Sequence, residues 1–411
     1  MALERVTLLQ NKRIVLGVTG SIAAYKAVDL ASKLTQLGAL VDVIMTDAAQ
    51  RFVTALTFEA VTGRAVYSDL WRTASGSDLP THVAHVGLAE GADLLVIAPA
   101  TADTLARLAH GRANDLLAIT ALAARCPVLV APAMDGSMYA HAATQANVAT
   151  LAARGVVILP PEEGRFASGL VGAGRLPETA TLIGAIRLTL GREGVLKGRR
   201  VVVTAGGTRE ALDPVRYLTN RSSGKQGYAL AQAALDAGAE VTLISAARLE
   251  TPYGAQLIAV ESAQAMHAAV MEQVASADGL LMAAAVADFR PKATSAQKIK
   301  KSDELTIELQ KNPDILLAVA EQRRETRSPL VVVGFAAESQ KLADYARDKL
   351  ERKGLDLLIA NDISAADAGF ELDSNRVLIF ERDENNPEEM AASKAKISEA
   401  IIERVAKLLA R

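Results

Sequence analysis

The chain has 411 residues, half of them apolar, and a formal net charge of −2, which suits two domains of about 200 residues each better than a single core. That balance removes the electrostatic case for nucleic acid or a membrane surface as a partner, and the single cysteine, Cys126, excludes an internal disulfide framework. No apolar run approaches the roughly 18 residues of a membrane span and residues 1–10 lack a secretory core, so a cytoplasmic protein is expected.

An apolar strand over residues 13–19 runs into the turn Thr19-Gly20-Ser21 and a helix over 21–37 that Gly38 ends. A strand over 41–46 and a helix over 48–61 follow. After the polar stretch 73–81 come a strand over 94–98, a helix near 103–110, a longer one from 114, and strands over 128–131 and 156–159. Short Val/Ile/Leu runs separated by helices predict a parallel sheet covered on both faces. Ligands then gather at the carboxyl ends of the strands, here Thr19-Gly20-Ser21, Thr46-Asp47, Pro99-Ala100-Thr101 and Pro132-Ala133-Met134-Asp135.

Residues 162–177 are glycine-rich without periodicity, a candidate active-site flap. A helix to about 190 follows, and the polar segment 191–198 is the expected boundary between domains 1–190 and 191–411. The second half opens like the first: a strand over 200–204 enters the turn Ala205-Gly206-Gly207. A helix over 224–237, strands over 240–245, 279–284 and 331–335, a helix over 340–353, a strand over 355–360 and a final helix from 387 complete it. The predicted fold class is α/β with two doubly wound parallel-sheet domains, flavodoxin-like or Rossmann-like in the first half and Rossmann-like in the second.

Each strand–glycine–helix junction is a candidate phosphate site, because helix-start N–H groups and the helix dipole favour an anion there. Gly17-Val18-Thr19-Gly20-Ser21-Ile22 lacks the lysine of a nucleotide-triphosphate loop, and alone it reads equally as a turn with Ser21 capping its helix. Taken together, residues 17–26, 45–49, 98–103 and 132–139 resemble the flavin-containing cysteine decarboxylases. The resemblance implies FMN with its phosphate at the first glycine turn, held by Gly20, Ser21, Ile22, Thr46, Pro99, Ala100 and Thr101. It also implies a catalytic role for His85, in His85-Val86-Gly87-Leu88, whose neutral ring could take or position the substrate thiol proton.

Two positions depart from that family. Asp135 stands where it has an asparagine able to donate an N–H to the substrate carboxylate; an ionised aspartate only accepts. Ser168, in Ala167-Ser168-Gly169, replaces the cysteine that supplies a proton late in the reaction, and a hydroxyl is a far weaker acid than a thiol.

In the second half, Thr204-Ala205-Gly206-Gly207-Thr208-Arg209-Glu210, Asp213-Pro214-Val215-Arg216, Thr219-Asn220-Arg221-Ser222-Ser223-Gly224-Lys225, Ala284-Ala285-Val286-Ala287-Asp288, Lys298-Ile299-Lys300-Lys301, Lys311-Asn312-Pro313-Asp314-Ile315 and Gly334-Phe335-Ala336-Ala337-Glu338 resemble phosphopantothenate–cysteine ligases. Joining an acid to an amine needs an activated acid, and lysines with helix N-termini must gather the nucleotide's phosphates. The resemblance implies CTP with Mg2+, a CTP site at Asp288, Pro313, Asp314, Ile315, Leu316, Phe335, Lys349 and Lys353, Lys298 near the triphosphate, and Asn220 and Arg216 on an acyl-cytidylate. The metal ligands are not legible.

Across both halves the chain resembles the family of bifunctional bacterial coenzyme A biosynthesis proteins. This implies 4′-phosphopantothenate, L-cysteine and CTP as substrates of a ligase half whose product the flavin half decarboxylates to 4′-phosphopantetheine. Homo-oligomers are implied too, trimers through the flavin half and dimers through the ligase half. An alternative reading, resting on Asp135 and Ser168, is an active ligase whose first half binds FMN but decarboxylates poorly or on an altered substrate. A regulatory protein is a further alternative, against which the full lysine and asparagine set of the second half argues.

Overall fold

The computed structural model describes residues 4–71, 79–81, 83–165, 169, 171–300, 305–338, 342–362, 373–384 and 386–411, which divide into two units, Met1–Gly191 and Arg192–Arg411.

In the first unit the Val/Ile/Leu runs become strands because both faces of each are covered. Leu16, Val43, Leu95, Ile97 and Val130 are no more than 1% exposed. Strands β1 (Arg13–Val18), β2 (Leu40–Met45), β3 (Val66–Tyr67), β4 (Leu94–Ala100), β5 (Val128–Pro132) and β6 (Val157–Ile158) form one parallel sheet in the order β3-β2-β1-β4-β5-β6. That is the Rossmann order, with its switch point between β1 and β4. The segment expected as an aperiodic flap contains an antiparallel hairpin, β7 (Glu162–Arg165) and β8 (Val171–Arg175). Its residues do not alternate apolar with polar because the hairpin buries no full face against a core.

The first helix begins at Ala24 rather than at Ser21. Ser21 instead accepts the Ala23 N–H on its Oγ at 3.3 Å, so it shapes the turn and caps no helix. Similarly, the helix read over 48–61 divides into a short 3-10 turn, Ala49–Arg51, and a helix, Ala55–Thr62.

The second unit repeats the order and extends it. Its strands are β9 (Arg200–Ala205), β10 (Arg209–Ala211), β11 (Tyr217–Thr219), β12 (Glu240–Ser245), β13 (Gln256–Ala259), β14 (Gly279–Met282), β15 (Phe289–Pro291), β16 (Leu309–Lys311), β17 (Val331–Glu338), β18 (Leu357–Asp362), β19 (Ser374–Glu381) and β20 (Glu388–Ser393). The main sheet runs β13-β12-β9-β14-β17-β18-β19-β20, parallel as far as β18 and antiparallel at its last two strands, while β10/β11 and β15/β16 are separate hairpins. The final helix expected from residue 387 therefore starts later. Residues 388–393 pair with β19, and the helix is Lys394–Leu409, opened by Ser393, whose Oγ accepts the Lys396 N–H at 3.2 Å.

Both units fasten their switch points alike. At one end of each sheet an aspartate accepts the first N–H of the central strand: Asp93 from Arg13 and Asp278 from Arg200, each at 2.8 Å. At the carboxyl end a buried threonine ties the two central strands together. Thr19 Oγ1 donates to the Pro99 carbonyl at 2.7 Å and accepts the Thr101 N–H at 3.1 Å. Thr204 Oγ1 donates to Met282 Sδ at 3.4 Å and accepts the Ala284 N–H at 3.1 Å.

Candidate active sites

In the first unit, Gly20, Ser21 and Ile22 form the turn leaving β1, Thr46 follows β2, Pro99 and Ala100 end β4, and Thr101 caps the next helix by accepting the Thr104 N–H. Because β2, β1, β4 and β5 are parallel neighbours, these residues and Asp135, just beyond β5, collect at one end of the sheet. His85 is the second residue of the helix Ala84–Gly91, partly buried. That helix leads into β4 and packs back along the sheet, which puts His85 toward the strands' carboxyl ends.

The close turn at Gly20 has a steric cause. A Cβ there would stand 2.4 Å from Ala48 Cβ, so the backbone between β1 and its helix lies bare against the turn that follows β2. Thr46 Oγ1 accepts the Ala49 N–H at 3.2 Å and holds that second turn in place.

Asp135 is engaged locally. Its Oδ1 accepts the Ser137 N–H at 3.0 Å and the Ser137 hydroxyl at 2.8 Å, capping the short helix Gly136–Ala140. The hairpin is joined to this end of the unit where Met134 N–H donates to the Gly174 carbonyl at 3.0 Å. Lys26 adds bonds to the Leu176 carbonyl at 3.3 Å and Glu178 at 2.7 Å. Ser168 lies outside the described residues. Ile22, in the glycine turn, and Met138, in the short helix after β5, stand 64% and 50% exposed.

The second unit holds a cavity of about 520 Å3 at the carboxyl ends of its central strands. Of the residues expected from sequence, Asn220, Asp288, Pro313, Asp314, Ile315, Leu316, Phe335, Lys349 and Lys353 line it, and Arg216 and Lys298 do not. The loop 283–288 is laid against the strand ends by its own N–H groups: Ala285 N–H donates to the Gly206 carbonyl at 2.9 Å and Ala287 N–H to the Thr208 hydroxyl, Oγ1, at 2.9 Å. Asn312 locks the next wall, donating to the Ala287 carbonyl at 2.8 Å. Gly206 is required at the turn twice over, by φ of +84° and by the Ala247 N that a Cβ would meet at 2.6 Å.

Arg221, Lys225, Lys311, Lys349, Lys353 and Lys394 bring six cationic side chains to this cavity against the two carboxylates of Asp288 and Asp314. Asp314 is paired with Lys353 at 3.1 Å; burial raises its pKa, but the lysine and the N–H groups of the helix it caps hold it below the usual carboxylate range. Lys225 pairs with Asp373 at 2.7 Å. Burial, and then the nearby Lys225, push the Lys394 ammonium below its ordinary pKa. Two acceptors, Gln226 Oε1 and Asn361 Oδ1, are buried with no protein partner among the described residues, and both residues line the cavity.

Sequence reading missed Asn361, Asn375 and Lys394. The last two are 7% and 6% exposed and come from β19 and the start of the last helix, a region read as a loop and an earlier helix start. Their only local signal is the Ser393 cap before Lys394.

Arg216 lies elsewhere in this unit, bonded to the residue that follows Lys298. Arg216 bonds Asp213 through Nε at 2.9 Å and Nη2 at 2.6 Å, and its Nη2 reaches the Ile299 carbonyl at 2.8 Å. Lys298 is exposed.

Residues 3–191 match the family model for flavoproteins, and residues 196–409 match that of the DNA/pantothenate metabolism flavoprotein C-terminal domain. The chain is 48% identical over 376 residues to the coenzyme A biosynthesis bifunctional protein CoaBC of Vibrio cholerae, covering 90% of this chain and 92% of that one. It is 44% identical over 406 residues to the protein of the same name from Bacillus subtilis, covering 98% of each. A solved structure, the C-terminal domain of a coenzyme A biosynthesis bifunctional protein CoaBC, is similar at 34% identity and a TM-score of 0.44, covering 53% of this chain and 99% of that one.

Proposed function

The chain belongs to the family of bifunctional coenzyme A biosynthesis proteins, and from that premise we propose that its second unit joins 4′-phosphopantothenate to L-cysteine with CTP, and that its first unit decarboxylates the product with FMN. It is an enzyme with ligase and decarboxylase activities.

The observation that carries the ligase reading is the cavity itself. Six cations against two carboxylates suit a triphosphate, and the orphaned Gln226 and Asn361 oxygens suit a ligand with N–H donors, as a cytosine amino group is. In the first step the carboxylate of 4′-phosphopantothenate attacks the α-phosphorus of CTP, forming the acyl-cytidylate and releasing diphosphate. Lys349 and Lys394 neutralise charge on the phosphates, with Lys298 acting at the same step. The cysteine amine then attacks the acyl carbon and displaces CMP, loses a proton, and leaves the amide; Asn220 and Arg216 hold the cytidylate for that attack. Asp288, Pro313, Asp314, Ile315, Leu316 and Phe335 form the nucleoside wall, where Asp314 keeps Lys353 oriented. Among the described residues no group of three or more His, Cys, Asp or Glu could hold a metal, so Mg2+ is expected to arrive on the triphosphate rather than in a protein cage.

In the first unit the crevice between β1 and β4 suits FMN: the bare backbone at Gly20 lets a phosphate approach, and Ser21, Ile22, Thr46, Pro99, Ala100 and Thr101 surround it. When bound, the flavin supplies the two-electron chemistry that makes loss of carbon dioxide from the cysteinyl group easy. His85 holds or takes the thiol proton, Ser168 stands where a late proton is supplied, and Asp135 meets the carboxylate end of the substrate. Because Asp135 Oδ1 is committed to Ser137, Asp135→Asn keeps the cap through its carbonyl oxygen and adds an N–H donor. Exposed Ile22 and Met138 in this unit, and Val215, Tyr217 and Phe289 in the second, suit burial between copies, as trimers and dimers respectively; light scattering of the full chain tests for an assembly divisible by three and by two.

The deciding experiment supplies 4′-phosphopantothenate, L-cysteine and CTP and follows products by mass spectrometry. We expect CMP, diphosphate and 4′-phosphopantetheine. No cysteine adduct with CTP overturns the ligase reading. Adduct that builds up and is consumed only by Asp135→Asn or Ser168→Cys enzyme overturns full decarboxylase competence.

A further inference from the structure

Asp213 makes more bonds than the turn around it needs. Its carboxylate is buried, with a side-chain exposure of 0%. Oδ1 accepts the Val215 and Arg216 N–H groups, each at 2.8 Å, which closes the turn Asp213-Pro214-Val215-Arg216. Oδ2 does something separate: it accepts Nε and Nη2 of Arg216 and, at 3.1 Å, the N–H of Ile299. Arg216 Nη2 then bonds the Ile299 carbonyl at 2.8 Å. The peptide groups on both sides of Ile299 are thus clamped, one by the carboxylate and one by the guanidinium that the carboxylate orients.

Upstream, the same segment is stitched to the same loop. Thr294 Oγ1 donates to the Ala211 carbonyl at 3.1 Å and Ser295 N–H to the Leu212 carbonyl at 3.0 Å. Among the described residues Ile299 is the last tie in this series, and Lys298 and Lys300, on either side of it, are exposed. The arrangement anchors the middle residue of the lysine loop and leaves its neighbours' ammonium groups displayed.

We propose that Asp213 is the positioning residue of the ligase reaction for Lys298, acting through Arg216 and the Ile299 backbone so that Arg216 and Lys298 move as one rigid element. The inference rests on the assignment of Lys298 to the triphosphate step. A freely sampling lysine would have to be ordered in each turnover, and misplacement of a charge by about 1 Å can cost about 100-fold in rate.

Asp213→Asn separates this role from plain turn closure. Its one remaining carbonyl oxygen can still accept the Val215 and Arg216 N–H groups, while the new NH2 faces the guanidinium and the Ile299 N–H, donor against donor. The experiment uses the full-length protein and measures single-turnover diphosphate release, with hydrogen exchange resolved at residues 213–216 and 298–300. For Asp213→Asn we expect release slowed about 100-fold, faster exchange at Ile299, and unchanged protection at Val215. The decisive comparison is with Lys298→Gln: the double variant should be no slower than Lys298→Gln alone, because both remove the same placed charge. Losses that multiply, or wild-type release by Asp213→Asn, overturn the proposal. Wild-type release by Lys298→Gln overturns the assignment of Lys298, and this inference with it. Should Asp213→Asn fail to fold, Asp213→Glu, which keeps the charge but shifts the carboxylate away from the Ile299 N–H, takes its place in the same comparison with the same outcomes.

Discussion

The first unit makes its central joint with a threonine that bonds two backbone groups, Thr19 to Pro99 and Thr101; the second makes it with one backbone group and one sulfur, Thr204 to Ala284 and Met282. The joints sit at equivalent points of the same strand order, and the glycines beside them answer to different constraints. Gly20 is needed for a close approach to Ala48, whereas Gly206 is needed for a left-handed backbone as well as for space. The comparison teaches that one frame can be specified by different local chemistry, and that the ligand site is set by what is hung on the frame. In the first unit that is a set of short turns at strand ends; in the second it is a lysine-rich cavity walled by inserted loops and by strands beyond the repeated six.

The largest difference should come from the glycines. Gly206→Ala must adopt a backbone costing about 1–3 kcal/mol for a non-glycine residue and also displace the Ala247 amide, so we expect urea unfolding of the second unit at much lower denaturant and loss of ligation. Gly20→Ala also forces its neighbour, Ala48, to shift but needs no left-handed backbone, so it should cost less; an equal loss in both variants would break the distinction. Next come the threonines. Thr19→Val strands a buried carbonyl and a partly buried N–H and should cost about 1–3 kcal/mol in the first unit. Thr204→Val strands one N–H and a weak sulfur acceptor, so its cost should be the smaller of the two in paired denaturation curves.

The frame was largely legible because runs such as Ile14-Val15-Leu16 and Val201-Val202-Val203 are buried on both faces and need no partner to be recognised as strands. The hairpins were not, since Glu162–Arg165 and Tyr217–Thr219 bury too little to impose alternation. Strand β20 is not legible because Glu388-Glu389-Met390-Ala391-Ala392 is a helix-favouring composition, and only pairing with β19 overrides it. The cavity followed the same division. Asn220, Asp288, Asp314 and Phe335 sit in motifs, and Lys349 and Lys353 are positions the resemblance implies, whereas Asn375 and Lys394 sit on the segment whose composition favours helix and carry no motif.

Lys394 sharpens the comparison further, since nothing in the first unit corresponds to it among the described residues. Its pKa is lowered by burial and by Lys225, so the folded state binds its proton less tightly than the unfolded chain does. Stability of the second unit should therefore rise as pH climbs from the folded pKa toward the ordinary lysine value. Lys394→Met should raise the melting temperature modestly at neutral pH and weaken CTP binding in calorimetry; a variant that melts lower and binds CTP normally would refute a phosphate role.

The smallest effect is expected in acid. Burial raises the Asp213 pKa, but Arg216 and three backbone N–H groups hold it well below the usual carboxylate range. Its contribution is full above the ordinary value of about 4 and is lost as pH falls below it. The gap in denaturation midpoint between wild type and Asp213→Asn should thus narrow on acidification. In the first unit Asp29, lowered mainly by its bond to Lys33 and half exposed, should give Asp29→Asn a still flatter profile.

The antiparallel pair that closes the second sheet has a further effect, on solubility. Strand β18 is apolar from Leu357 to Ala360, each 0% exposed, and with β19 and β20 absent it would present an open row of backbone donors and acceptors, a template for stacking with other chains. The two added strands move the open edge outward to Glu388–Ser393, whose leading glutamates are exposed and whose charges discourage such pairing. Any truncation made to isolate the catalytic part of this unit should therefore keep the chain to its last helix, because a shorter piece would trade an enzyme for an aggregate.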